Sequence, residues 1–177
     1  YVNSLSVSRP MRVGYVSGDF GHHSVSYFLE PVFKNYNKQK FEVFCYSNIA
    51  KGDAVTETFK LCVDNWIEIY GLTDDQVAER IRKDGIDILI DLGGHTADNR
   101  LLVFARKPAP IQISWLGYPN TTGLTEIDYR IVDNYTDPKG LTDQFNTEQL
   151  IRMPECFSCF KPNVDYVRVN ELPALKN

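Results

Sequence analysis

Short apolar runs alternate with amphipathic stretches through the first two thirds of the chain, and this alternation constrains the fold more than any other feature. The apolar runs have the length and residue types of buried strands, at 11–17, 41–47, 66–70, 86–92 and 111–116. Each run is separated from the next by residues with helical or turn character. The chain is therefore expected to build its core from repeated strand and helix units.

The intervening stretches carry recognisable helix signals. Apolar residues at helical spacing begin at Ser24 and return at 54–62 and 100–106. Thr73 and Gln76 have the spacing of a capping box, which predicts a further helix that ends at Gly85. Right-handed crossovers place such helices on both faces of a parallel sheet, so the predicted class is α/β, with a Rossmann-like, doubly wound parallel sheet.

The character of the chain changes after Gly117. A long loop rich in turn residues follows, and two short extended segments, 129–132 and 149–153, are predicted to add edge strands to the sheet. The expected organisation is a linker at 1–10, one Rossmann-like lobe at 11–167 and the start of a connection at 168–177. The chain is thus read as one domain cut from a longer protein.

Charge and composition disfavour several classes of function. The net charge is −4 with no long run of like charges, so general binding to nucleic acid or to anionic membranes is not expected. No apolar stretch approaches the roughly 20 residues of a membrane-spanning helix. The N-terminal residues do not resemble a secretory signal, so a cytoplasmic location is expected, with the nucleus also open for a eukaryotic source.

The four cysteines are expected to pack rather than to react. Cys45 lies in an apolar strand pattern and Cys62 near a helix end, while Cys156 and Cys159 form a single C-x-x-C pair. A zinc site usually needs a second pair of ligands, and a redox motif usually sits at a strand-to-helix turn. Packing is therefore favoured over metal binding or redox chemistry, and no metal site is predicted.

All three histidines fall in two loops that the predicted topology makes neighbours. Ligands of open parallel sheets bind beyond the carboxyl ends of the strands, where the strand order reverses. With the common order 3-2-1-4-5, the loops after the first and fourth strands meet there, and these are GDFGHHS and GGHTADN. His22, His23 and His95 can act there as acid, base or hydrogen-bond donor. The alternative is that they cap helices or bond backbone carbonyls.

A third loop, GYPNTTG, follows the fifth strand and offers hydroxyl, amide and phenol groups to a polar ligand, or forms an ordinary turn-rich loop. Neither a G-x-G-x-x-G nor a P-loop motif is present. The sequence also contains no Asp-x-Asp pair of the kind that holds a cation on a diphosphate, so any sugar transfer is expected to be metal-free. Asp91 is interpreted as a cap for its loop.

Several separate segments carry a family resemblance. The runs RVGYVSGDFGHHSVSYFLEPVF, DGIDILIDLGGHTADNRLLVFARKPAPIQISWLGYPNTTGL, DYRIVD and RMPECFSCFKP resemble glycosyltransferase family 41. That family holds protein O-GlcNAc transferases, SPINDLY-type protein O-fucosyltransferases and bacterial homologues. The segments HSVSYFLE, GHTADN and GYPNTTGL are more similar to the SPINDLY and bacterial branch than to the animal O-GlcNAc transferases. The animal enzymes have Tyr where this chain has His95.

The resemblance implies an inverting protein O-glycosyltransferase of GT-B type, of which this chain forms the N-terminal lobe. Such enzymes take no cofactor; a second lobe binds most of the nucleotide-sugar, UDP-GlcNAc or GDP-fucose, and upstream tetratricopeptide repeats gather protein acceptors. By position, His23 matches an active-site histidine and Glu79 a carboxylate suggested to relay a proton, although Glu79 is equally well a helix-surface residue. The fragment alone is expected to be inactive.

Substrate binding is assigned to the three loops, through Asp19, His22, His95, Thr96, Tyr118, Pro119, Thr121 and Thr122. Two other classes of function stay open at this point. One is a non-catalytic α/β binding module, and the other is a lobe of a small-molecule nucleotide-sugar transferase or epimerase. Tetratricopeptide repeats upstream of the chain would favour protein acceptors.

Overall fold

The computed structural model describes residues 3, 9–162 and 172. The helices and strands alternate as the sequence predicts. In chain order they are β1 (Met11–Ser17), α1 (Ser24–Asn35), β2 (Phe41–Ser47), α2 (Ala54–Cys62), β3 (Asn65–Glu68), α3 (Asp74–Asp84), β4 (Ile88–Asp91), α4 (Leu101–Phe104), β5 (Ile111–Ser114), β6 (Tyr129–Asp133) and β7 (Gln149–Met153). A 3-10 helix at Asp143–Phe145 lies between the last two strands.

The strands form one parallel sheet in the order β3-β2-β1-β4-β5-β6-β7. The α/β class and the doubly wound order are therefore confirmed. The predicted linker at 1–10 and the connection at 168–177 lie outside the described residues, apart from residues 3, 9, 10 and 172, and the predicted lobe boundary at 167 also lies outside them.

Helices cover both faces of the sheet. On one face, α1 and α2 pack on β1, β2 and β4 through a core that includes Leu29, Phe33 and Phe59, each at most 2% exposed. On the other face, α3 and α4 cover the sheet through residues such as Ile81 and Phe104, both fully buried. At roughly 25 cal/mol per Å² of apolar surface, these two cores dominate the favourable free energy of folding.

Helix ends lie where the sequence signals them. Thr73 caps α3 and shares a capping box with Gln76, while Gly85 ends that helix in the left-handed region, with φ 65°. The strands β1 and β2 have the predicted bounds, whereas β3, β4 and β5 are shorter than predicted. The helix expected at 100–106 is reduced to α4, because Lys107 adopts a φ of 45° and Pro108 follows it.

Of the two segments predicted to be edge strands in the last third of the chain, one is an interior strand. The segment at 129–132 is not an edge strand, since β6 pairs with β5 on one side and with β7 on the other. The loop that returns the chain to place β7 alongside β6 is held by a buried ion pair between Arg130 and Asp137, at 2.8 Å. β7 is the edge strand of the described sheet.

The C-x-x-C pair is exposed rather than packed. The loop that carries it is anchored between the two thiols, where Trp115 Nε1 donates to the Phe157 carbonyl at 2.8 Å and the Phe157 amide donates to Asp133 at 2.9 Å. Because that anchor lies on Phe157, Cys156 and Cys159 remain at the surface. Cys45 is buried in β2 as expected.

Candidate active site

The carboxyl edge of the sheet brings three loops together, those after β1, β4 and β5. The first two loops are in direct contact, because a Cβ on Gly18 would lie 3.2 Å from the Cβ of Asp98. The crevice between them has a volume of only about 10 Å³. The crevice at the point where the strand order reverses is therefore filled by packed residues. The three histidines lie at its rim, and all three are exposed.

Asp53 holds the loop after β1 in place. Its carboxylate accepts a hydrogen bond from the His22 amide at 2.6 Å while it also caps α2 through Val55 and Thr56. Hydrogen bonds from the backbone of Thr56 and His22 hold the pKa of Asp53 below its ordinary value. One charged side chain thus joins the start of α2 to the first histidine loop.

His23 is the N-cap residue of α1. Its backbone is extended, and Nδ1 accepts a hydrogen bond from the Val25 amide at 3.3 Å. The Asp19 carboxylate lies 3.8 Å from the same nitrogen, and 47% of the His23 side chain is exposed. The capping role considered for the loop histidines is therefore present at His23. Among the described residues, no hydrogen bond to Nε2 of His23 is found.

Ser26 fixes the backbone on which Asp19 sits. The buried Ser26 hydroxyl contacts the carbonyl of Asp19 at 3.0 Å and that of Gly21 at 2.6 Å. Because one hydroxyl proton serves two carbonyls, the turn before α1 is tied to the first turn of the helix. Asp19 and His23 are consequently held on a rigid part of the chain.

An open cleft of about 210 Å³ lies beside His23, between the first halves of α1 and α2. His22 and Tyr27 form part of its wall, with ring centroids 6.5 Å apart in an edge-to-face arrangement. Phe59, which is 1% exposed, contributes to the lining. His22 therefore lies against an apolar cleft and contributes its backbone, rather than its ring, to the loop geometry.

Asp91 shapes the second histidine loop. Its buried carboxylate accepts hydrogen bonds from the amides of Gly93 at 3.1 Å and Gly94 at 2.9 Å, and from the Ser114 hydroxyl at 3.2 Å. Burial raises the pKa of Asp91 above its ordinary value, against these hydrogen bonds. The contacts agree with the interpretation of Asp91 as a cap for its loop.

His95 connects the second loop to the third. Its Nε2 lies 2.9 Å from the Thr122 carbonyl oxygen, and its ring meets that of Tyr118 edge to face, with centroids 5.3 Å apart. The Thr96 hydroxyl, in contrast, donates within its own loop, to the Gly93 carbonyl at 2.8 Å. The structure thus brings His95, Tyr118 and Thr122 together.

Glycines make this close approach of loops possible. A Cβ on Gly117 would lie 1.9 Å from the Leu92 carbonyl oxygen, and one on Gly94 would lie 2.3 Å from the Cβ of Tyr118. Leu116, directly before Gly117, has a φ of 81°, and the Gly117 amide donates to the Trp115 carbonyl at 3.1 Å. This is a classic γ-turn, a rare and strained conformation that clusters at functional sites.

Glu148 anchors the third loop, and sequence reasoning missed it. Its carboxylate, in a residue only 4% exposed, accepts from the Thr122 amide at 2.7 Å, from the Thr121 hydroxyl at 2.7 Å and from the Thr122 hydroxyl. Burial raises the pKa of Glu148, but the hydrogen bonds from Thr122 and Thr121 outweigh it, so that the pKa lies below its ordinary value. No local motif marks Glu148, because its partners lie 26 and 27 residues earlier in the chain.

Arg100 is a second anchor that the sequence does not reveal. Its guanidinium donates to Asn48 at 3.0 Å, to the Ile69 carbonyl at 3.1 Å and to Asp74 at 2.9 Å. Asn48 in turn donates to the Asp98 carbonyl at 2.9 Å. The far end of the second histidine loop is therefore tied to the loops after β2 and β3.

Of the assigned residues in the third loop, Pro119 lies apart from this group, and Tyr118 faces both His95 and a second cavity. Tyr118 and Pro119 border a small cavity of about 40 Å³ on the side of the loop that faces Arg130 and Asp137. Tyr118 reaches His95 as well, whereas Pro119 has no described contact with either histidine loop. Thr121 turns its hydroxyl toward Glu148, so its role in the described structure is to hold the loop.

Glu79 is not brought to the site. It lies in the middle of α3, which covers the face of the sheet opposite α1. Its side chain is 77% exposed and lies 3.5 Å from Arg82 in a surface ion pair. The structure therefore favours the helix-surface interpretation and separates Glu79 from His23.

The described residues form neither a cluster of metal ligands nor a membrane-spanning helix. These residues contain no group of three or more His, Cys, Asp or Glu side chains placed to bind a metal ion. Among the helices of the described part of the chain, none has the length and apolar character that a membrane crossing requires.

Comparison with known proteins places the chain in a family. Residues 1–163 match glycosyl transferase family 41. The chain is 45% identical over 179 aligned residues to the "Probable UDP-N-acetylglucosamine--peptide N-acetylglucosaminyltransferase SPINDLY" of Arabidopsis thaliana, covering 99% of the chain and 20% of that protein. It is 38% identical over 157 residues to the UDP-N-acetylglucosamine--peptide N-acetylglucosaminyltransferase of Caenorhabditis elegans, covering 87% of the chain and 14% of that protein.

A solved structure agrees with the sequence matches. The fold resembles a mutant of the Thermobaculum terrenum O-GlcNAc transferase with a TM-score of 0.87 and 39% identity, over 93% of this chain and 32% of that one. The chain thus spans about a fifth of the length of the SPINDLY relatives and about a third of the solved structure. On these matches, the chain belongs to glycosyl transferase family 41.

Proposed function

We propose that this chain forms the N-terminal, acceptor-facing lobe of a GT-B type protein O-glycosyltransferase. The enzyme transfers a sugar from a nucleotide-sugar to Ser or Thr hydroxyls of proteins. The observation that carries the proposal is the meeting of the His23, His95 and Thr122 loops at one edge of a sheet whose sequence belongs to family 41. A second lobe supplies most of the donor site.

The relatives support a protein as the acceptor. Both the plant and the nematode relatives are named as peptide N-acetylglucosaminyltransferases, and the bacterial structure as an O-GlcNAc transferase. These names make UDP-GlcNAc the first donor to test. The resemblance of the loop sequences to the SPINDLY branch makes GDP-fucose the second. Tetratricopeptide repeats outside this chain would gather the acceptor proteins, in the cytoplasm.

The chemistry of the loops suits an inverting displacement. The acceptor oxygen attacks the anomeric carbon while the nucleotide diphosphate departs from the opposite face, so catalysis depends on positioning and on stabilisation of charge. His23 offers Nε2 from a rigid helix cap, and His95 is held between two loops. The sequence contains no Asp-x-Asp pair, which favours a metal-independent reaction.

A donor screen tests the proposal. The complete protein that contains this chain is incubated with UDP-GlcNAc, GDP-fucose or UDP-glucose and a mixture of protein acceptors, and mass spectrometry locates the added sugar. We expect transfer to Ser or Thr from one donor, with inversion at the anomeric carbon and loss of transfer in His23→Ala. Glu68→Gln, a change at a surface carboxylate of β3 that is 76% exposed, is the control. Absence of transfer and hydrolysis with all three donors would overturn the proposal.

A further inference from the structure

The two ring nitrogens of His95 are in different states. Nε2 lies 2.9 Å from the Thr122 carbonyl oxygen, which can only accept a hydrogen bond. In the neutral ring, Nε2 must therefore carry the proton, and Nδ1 must carry a lone pair. No hydrogen bond reaches Nδ1 from the part of the chain that the structure describes, and the residue is exposed.

His23 has the opposite arrangement. Its Nδ1 accepts from the Val25 amide, so in the neutral ring Nδ1 bears the lone pair and Nε2 bears the proton. Protonation of Nδ1 would exchange that bond for a contact with the Asp19 carboxylate, 3.8 Å away, and Nε2 would still carry its proton. His23 can thus present only a donor at Nε2, whereas His95 presents an acceptor at Nδ1.

The tautomer of His95 depends on a buried anchor. Glu148 accepts from the Thr122 amide and from the hydroxyls of Thr121 and Thr122, and so fixes the peptide whose carbonyl oxygen meets His95. Tyr118 contacts the ring edge to face, and His95 lies near enough to the buried Asp91 carboxyl to favour its charged form. Contacts within the protein, and not a bound substrate, consequently set the orientation of the His95 ring, as expected of a preorganised catalytic base.

We propose that His95 is the general base of the transfer through Nδ1, and that Glu148 and Thr122 are positioning residues that fix its tautomer. This inference rests on the proposed function and adds to it the identity of the base. His23, with its Nε2 proton, is then a hydrogen-bond donor to the reacting groups.

The step balances without a further reactant. As the Ser or Thr oxygen forms its bond to the anomeric carbon, its proton passes to Nδ1 of His95 and gives an imidazolium. The bond between the anomeric carbon and the diphosphate oxygen breaks, and its electron pair leaves with the nucleotide diphosphate. The exposed imidazolium then returns its proton to water.

The first experiment compares His95→Gln and His23→Asn in the complete protein with the donor that the screen identifies. A glutamine amide can replace the Nε2 proton toward Thr122, but it cannot accept the acceptor's proton. We expect His95→Gln to lower kcat by about 10²- to 10⁴-fold and to abolish the acidic limb of the pH dependence of kcat. His23→Asn is expected to lower the rate while it keeps that limb. An unchanged acidic limb in His95→Gln would overturn the assignment.

The second experiment reads the tautomer without any turnover. Nitrogen-15 NMR of the histidine rings at neutral pH, assigned with His95→Gln and His23→Asn, should show a protonated Nε2 and an unprotonated Nδ1 at His95. Glu148→Gln is expected to broaden or shift the His95 signals, with Glu68→Gln as the matched carboxylate control. A protonated Nδ1 in neutral His95 would contradict the proposal.

These outcomes separate the inference from the proposed function. If the wild-type protein transfers sugar and His95→Gln transfers it equally well, the function holds and the base assignment fails. If the wild type transfers no sugar from any donor, the proposed function itself fails, even where the NMR signals show the expected tautomer.

Discussion

The two histidine loops lie side by side at one edge of the sheet, yet different kinds of structure hold them. The His23 loop is fixed locally, by a helix cap, by Ser26 and by the carboxylate of Asp53. The His95 loop is fixed by long-range packing, through Gly117 against Leu92 and through Thr122 against Glu148. A local cap tolerates substitution by any good capping residue, whereas a packed loop depends on each of its anchors.

The largest expected effect is at Gly117, on which the His95 loop depends. Gly117→Ala places a Cβ 1.9 Å from the Leu92 carbonyl oxygen, so the backbone of one loop must move. We expect a loss of about 3 kcal/mol or more in the free energy of unfolding, measured by urea denaturation. Gly93→Ala in the neighbouring loop is the control, because its Cβ would meet atoms no closer than 3.5 Å. Equal stability of the two variants would contradict the packing difference.

The next effect is at Glu148. Glu148→Gln keeps one acceptor oxygen but replaces the other with an amide NH2 donor, so the three hydrogen bonds that the carboxylate accepts cannot all be kept. This change is expected to cost about 1–3 kcal/mol, together with a fall in kcat as His95 loses its fixed partner. Thermal unfolding and sugar transfer measure the two consequences, with Glu68→Gln expected to stay within about 0.5 kcal/mol of the wild type. A stable variant with full activity would show that the third loop does not need its anchor.

A smaller effect at His23 separates capping from chemistry. His23→Ala removes the side-chain cap of α1 and is expected to cost about 0.5–2 kcal/mol, whereas His23→Asn keeps a favoured capping residue and should be as stable as the wild type. Both variants lack the imidazole Nε2 proton, so His23→Ala should lose transfer and His23→Asn should transfer sugar at a lower rate than the wild type. Full activity in His23→Asn would mean that His23 serves only as a cap.

The smallest effect is a pH dependence of stability. The pKa of Glu148 in the folded chain lies below its ordinary value, so its contribution to stability is complete above the unfolded-state pKa and is lost as the pH falls through the folded-state pKa. The pKa of Asp91 is raised, so its ionisation has the opposite sign and costs stability as the pH rises. When the pH is lowered from about 6 to about 3, the free energy of unfolding should therefore fall less steeply for Glu148→Gln than for the wild type, as measured by denaturation at each pH. Parallel curves would contradict the role of the carboxylate.

The sequence predicts the parts of this fold that depend on neighbours in the chain. The strand patterns, the capping box of Thr73 and the end of α3 at Gly85 are all local signals, and each is found in the structure. The order of the first five strands also follows, because right-handed crossovers leave few alternatives. The partners of β6 were missed because no pattern in 129–132 tells an edge strand from an interior one.

The site was predicted only in part for the same reason. Histidines in the loops after neighbouring strands can be found from topology, and His23 and His95 are both at the expected edge. Glu148 and Arg100 could not be found, because charged residues in loops become anchors only once distant backbone groups surround them. Glu79 was assigned by position in a family, and its place on the far face of the sheet follows from the packing of α3.

The most direct test of the account is a crystal structure of the complete protein with its nucleoside diphosphate and an acceptor peptide. We predict that the acceptor hydroxyl lies at the carboxyl edge of the sheet, within hydrogen-bond distance of Nδ1 of His95, with Nε2 of His23 facing the reacting groups. An acceptor hydroxyl bound away from the loops after β1, β4 and β5 would contradict it.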